Sequence, residues 1–199
     1  MKRAIFGAAL TVLSLSLPAM AATTNKVQIK GENATAGFYQ YDGCNSTDVY
    51  VFAGNNVTKS EPGAPASQKQ ASIYYSNYNY CNGTGSYGYG SSDNATITID
   101  QLKSATLKGT FTVNDELSGT SKTVNVALNW TGTGDTFRGN NHSHFQGPGY
   151  SSNYRSVGSY RQAEVSGSVT LDGTNLISNL SSYGSLNTST SGYMEMTRR

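Results

Sequence analysis

Apolar and polar residues alternate with a period of two along most of this chain. In "ATLKGTFTV", Leu107, Phe111 and Val113 alternate with Lys108, Thr110 and Thr112. In "TVNVALNW", Val124, Val126, Leu128 and Trp130 alternate with Asn125, Ala127 and Asn129. That period places each set on one face of a strand, so both segments predict β-strands with one buried face. The turn-rich "NDELSGTSK" between them predicts a hairpin. Pairing Val113 with Val124 sets Phe111 against Val126 and Leu107 against Trp130, with Gly109 leaving space beside Leu128. "ATITID" and "AEVSGSVTL" add strands with Ile97 and Ile99, then Val165, Val169 and Leu171, facing inward.

The earlier half carries a second hairpin. "DVYVFA" and "ASIYYSNYNY" flank the Pro/Gly loop "KSEPGAPAS". Cys44 and Cys81 are the only cysteines, and setting them opposite each other puts the mirror point between Pro62 and Gly63. Tyr50 then faces Tyr75, Phe52 faces Ile73 and Tyr74 faces Val51. One disulfide would staple the open end of this hairpin. About nine or ten strands follow, with no amphipathic helix and no fixed-period repeat. The pattern predicts an all-β, single-domain antiparallel β-sandwich, jelly-roll-like, with strand order left open. A membrane barrel fits less well, because Thr and Lys occupy strand faces where lipid requires apolar side chains.

The chain start changes the charge. "MKR", a short apolar run and "AMA" read as a secretory signal peptide of bacterial type over residues 1–21, leaving 22–199 as one domain. Lys2 and Arg3 leave with it, so 14 basic residues become 12 against 12 acidic ones, and the mature chain is neutral. The expected location is secreted or periplasmic, with no transmembrane segment in the mature chain. A neutral chain also argues against a nucleic-acid partner.

Two stretches hold candidate binding residues. The first runs from Thr131 to Gln162 and shows no clear alternation, which reads as a long irregular loop of the kind that often carries function. Arg138, His142, His144, Tyr150, Tyr154 and Arg155 lie there, a mixture suited to an anionic or sugar-like ligand. In an extended segment His142 and His144 share a face, the alternative reading being two metal ligands. No Asp or Glu occurs between Asp135 and Glu164 to complete such a site, so no metal or other cofactor is expected. The second stretch is a strand face with Tyr74, Tyr78 and Tyr80, either core or an aromatic platform for sugar rings or protein. Asp42, Asn45 and Asp48 in "DGCNSTD" read as a turn before a calcium site, since the EF-hand spacing is missing.

Hydrolase elbows, zinc-protease motifs and phosphate loops are missing from the chain. The expectation is an exported, non-enzymatic binding or matrix β-protein whose candidate partners are carbohydrate or an extracellular protein. The alternative is a metal-dependent extracellular enzyme built on the His142/His144 pair. A third reading is a structural subunit that self-assembles by adding strands through an exposed edge.

Overall fold

A computed structural model describes residues 22–92 and 94–198; the signal-peptide reading lies outside them. Among the described residues all regular structure is strand. The strands are β1 (Ala22–Tyr41), β2 (Asn45–Glu61), β3 (Ala66–Asn79), β4 (Thr84–Ser92) and β5 (Thr96–Asp100), then β6 (Ser104–Asp115), β7 (Ser121–Gly147), β8 (Tyr150–Leu171), β9 (Thr174–Asn175) and β10 (Ser181–Arg198). They form one antiparallel ten-stranded sheet, as the alternation predicts. The order is that of a meander, and β10 pairs with both β1 and β8, so the sheet returns on itself. Its two sides meet over a single core in a sandwich-like arrangement. Trp130 Nε1 of β7 donates across that core to Thr35 O of β1 at 2.8 Å.

The core holds the residues the alternation marks. Leu107, Phe111, Val113, Val124, Leu128, Trp130 and Val169 are buried, with Val49, Val51, Ile73 and Leu186 from the other strands. Both hairpin registers differ from the predicted ones. Phe111 pairs with Val124, Leu107 with Leu128 and Ala105 with Trp130, a shift of two residues. The turn is tighter than expected, since Asn114 already pairs with Ser121. A shift of two keeps every side chain on its face, so the burial pattern survives. Gly109 lies opposite Val126, and Ala95 Cβ sits 2.9 Å from where its missing side chain would begin; the space is taken by Ala95, not Leu128.

The first hairpin is off by one, and that reverses faces. Tyr50 pairs with Tyr74, Val51 with Ile73 and Phe52 with Ser72. Cys44 and Cys81 do form a disulfide, with Cα atoms 5.3 Å apart. They flank the last ladder pair, Asn45 with Asn79, so they are not themselves a cross-strand pair and their mirror point misleads by one residue. Core packing sets the register instead. Val49, Val51 and Ala53 must share a face with Ala71, Ile73 and Tyr75, and all six are buried.

The seam between β4 and β6 is short, with only Gly88–Asp115 and Tyr89–Asn114 paired. Asp115 closes it from inside. Its carboxylate accepts from Lys122 Nζ at 2.7 Å, from Tyr75 Oη at 3.3 Å and from Ser86 Oγ. Its other oxygen accepts from the Leu117 and Ser118 amides. Lys122 first, then these hydrogen bonds, hold Asp115 well below the usual carboxylate range, and Asp115 in turn raises Lys122.

Five strands outrun the core. From residue 137 in β7, up to 160 in β8, from 187 in β10, up to 30 in β1 and from 55 in β2, the described residues are exposed or half-buried. With the start of β3 these segments form a single-layer wing in the order β7-β8-β10-β1-β2-β3. The expected irregular loop from Thr131 to Gln162 is therefore regular ladder, from His142 opposite Arg155 to Gly147 opposite Tyr150. With water on both faces, its side chains carry no apolar alternation to read.

Candidate functional site

Strand alternation gives the sheet two surfaces. On the outer surface of the core region, the off-by-one register turns Tyr74 outward beside Tyr50 and Tyr89, its partners on β2 and β4. These three are 40%, 41% and 54% exposed. The row continues through Gly37, opposite Tyr50, to Tyr183, opposite Gly37. The Tyr183 ring lies where a Gly37 side chain would stand, so the glycine lets a tyrosine fill the gap. Tyr183, Tyr50, Tyr74 and Tyr89 thus form one exposed row across five strands, about 19 Å at ~4.8 Å per strand. Tyr78, four residues further along β3 than Tyr74 and so to one side of the row, packs edge to face on Tyr80 at 5.1 Å. Tyr75, next in sequence, is buried.

Beside the disulfide, Asp42 accepts from the Asn45 amide at 2.7 Å and from the Cys44 amide at 3.3 Å. Asp48 accepts from Ser46 Oγ at 2.7 Å. These are turn contacts, and Asp42 is held below its ordinary value by the Asn45 side chain and amide.

The wing separates the residues of the presumed loop. Its outer face carries Phe137, Phe145, Tyr150, Tyr154, Tyr160 and Tyr193. Phe137 pairs with Tyr160, ring centroids 6.2 Å apart, and Phe145 packs on Tyr150 at 6.0 Å. Tyr193 Oη lies 3.2 Å from Tyr150 Oη and donates to Glu195 at 3.0 Å; these contacts push its phenol up. Glu195 is the one charge on this face among the described residues.

The inner face continues the surface that lines the core, and it is basic. Arg138, His142, His144, Arg155 and Arg161 share it with Lys26, Lys30, Lys59 and Lys69, against Glu32 and Glu61. Glu61 sits 3.4 Å from Lys59 and 3.6 Å from Lys26, which keep its carboxyl below the usual range. Arg161 donates to Gly134 O at 3.1 Å and to Leu102 O at 3.4 Å, tying the wing to the core. Of the candidates in this stretch, Arg138, His142, His144 and Arg155 are therefore together, while Tyr150 and Tyr154 face the other way.

His142 and His144 share a face, as an extended strand requires. Their cross-strand partners are Arg155 and Asn153, a cation and an amide. His142 Nε2 lies 3.3 Å from Asn153 Nδ2. Among the described residues no three His, Cys, Asp or Glu side chains converge as a metal site. No helix there is long and apolar enough to cross a membrane.

Sequence reasoning missed Tyr50, Tyr89 and Tyr183 as surface partners of Tyr74, and Lys26, Lys59 and Gly192 as neighbours of Arg155. Tyr50 and Tyr89 meet Tyr74 across neighbouring hairpin strands, where one residue of register decides the face, while Tyr183, Lys26, Lys59 and Gly192 join their groups through the pairings of β10 with β1 and β8, which no local pattern signals. Compared with family models, curated proteins and solved structures, the chain matches none.

Proposed function

We propose that the protein is an exported, non-enzymatic carbohydrate-binding β-protein, and that the tyrosine row is its docking strip. The single observation that carries this is the row itself. Four tyrosines stand exposed in line across a hydrogen-bonded sheet. Their contact area comes with few torsions to freeze, and each has a hydroxyl for a sugar oxygen. The disulfide supports an oxidising, extracellular setting. The test is retention of the mature protein on neutral insoluble polysaccharides. Tyr74→Ala and Tyr89→Ala should each weaken retention by about tenfold, roughly 1.4 kcal/mol, with circular dichroism unchanged. Absence of retention, or retention indifferent to both changes, rejects the reading.

One observation favours a second reading, strand addition to another copy. Beyond Thr131, β7 pairs only with β8, which leaves one edge of Gly134–Gly147 unpaired without Lys or Pro to blunt it. An antiparallel pairing centred on Asn141 sets Phe137 of each copy against Phe145 of the other. Sedimentation should then show self-association that Asn141→Pro abolishes; a monomer at all concentrations rejects it.

A further inference from the structure

The inner face of the wing contains a notch at Gly192. In the strand row His142–Arg155–Gly192–Gln28–Lys59, every position but one carries a long or ring side chain. A Cβ at Gly192 would meet nothing within 4 Å, so the side-chain layer has a hole there. Around it is a hollow of about 490 Å³, lined by Arg155, Asn153, Met194, Lys26, Gln28 and Lys59.

The polar groups differ in what they still have to offer. Lys26 and Lys59 are both occupied by Glu61. Arg155, exposed on the other side of the notch, has no carboxylate partner among the described residues. Its planar fork matches a carboxylate bidentately. Gln28 and Asn153 bring amides that suit hydroxyls, and half-exposed Met194 brings an apolar flank. Within the hollow Arg155 is the one cation without a carboxylate partner among the described residues, so the notch itself suits one carboxylate held by a fork and not a run of phosphates along a backbone. One free cation, two amides and an apolar edge over an open floor fit a ring that carries a single carboxylate.

We infer that the Gly192 notch binds an acidic sugar unit of a polysaccharide, the carboxylate on Arg155 and the ring over Gly192. The site lies on the opposite surface from the tyrosine row and does not depend on it. The experiment is affinity electrophoresis of the mature protein in gels containing a soluble polyuronate, the same polymer with its carboxyls reduced, or single-stranded DNA. Polyuronate should retard the protein. Arg155→Gln and Gly192→Val should each weaken that binding tenfold or more while Tyr74→Ala leaves it unchanged. Valine suits an extended strand, and if Gly192→Val does not fold, the exposed Arg155→Gln decides. No retardation by polyuronate, retardation that both variants keep, equal retardation by the reduced polymer, or stronger retardation by DNA would each overturn the inference. Loss of neutral-polysaccharide retention in Tyr74→Ala alone reports on the tyrosine row and leaves this site standing.

Discussion

Two halves of one strand show what alternation means. In β7, Val124, Val126, Leu128 and Trp130 are buried and their neighbours face water. From Phe137 to Phe145 the same strand, equally well paired with β8, has no buried side chain. The ladder to β8 runs through both halves, but only the first half also pairs with β6. The first half has the opposite side of the sheet to pack against, and the second has solvent. The side chains follow: inward positions are aliphatic over the core and cationic on the wing. Outward aromatics appear in both regions, as the tyrosine row on one and the Phe/Tyr pairs on the other. The core half is held by burial; the wing, lacking it, leans on backbone ladders and cross-strand aromatic pairs.

The largest expected difference between the regions is in truncation of an aromatic ring. Phe111→Ala in the core should cost about 3–5 kcal/mol in urea unfolding. Reducing the Cys44–Cys81 bridge, which spans 37 residues, should cost about 2–4 kcal/mol, read as a lower midpoint under reducing conditions.

Asp115→Asn should cost about 2 kcal/mol, the value of hydrogen bonds to a charged group, because Lys122 is one-quarter exposed and solvent screens the pair. Lys122 and the hydrogen bonds hold the folded Asp115 carboxyl below its ordinary value of 3.8, so its contribution is complete above that value and is lost as pH falls below it. Acid titration of the melting temperature should therefore be flatter in Asp115→Asn below pH ~4. An equally steep acid limb would place the acid sensitivity elsewhere.

Phe137→Ala on the wing, at 63% exposure, should cost under ~1 kcal/mol. A cost comparable to Phe111→Ala would mean that something covers the wing and the comparison fails. The finest measure is amide exchange. The wing amides of β7 and β8 should exchange through local opening well before those at Val124–Trp130, although the β7–β8 ladder runs through both.

How much was legible follows the same division. Leu107, Phe111, Val126 and Trp130 announce a buried face, and a register error of two leaves that prediction intact. Tyr74 shows the limit. Its exposure turns on a single residue of register, and the cysteines that suggested the register sit just outside the ladder. The stretch from Thr131 to Gln162 reads as a loop because its strands bury neither face, so the one signal that reveals a strand in sequence is silent there.

The sequence by itself determined the all-β class, the core-facing positions of the hairpin from Leu107 to Trp130 and the pairing of its two cysteines. Each follows from local chemistry: alternation of apolar side chains, and the presence of only two thiols. The tertiary structure alone decided that the strands close on themselves, that β7 and β8 run on as a wing, and which exposed residues share a surface. Arg155 shares a row with Gly192, Gln28 and Lys59, and Tyr183 shares one with Tyr50 and Tyr74, through successive ladders of which β1–β10 joins segments more than a hundred residues apart. Those ladders are set by what the core must bury, and the surface residues are carried along with it.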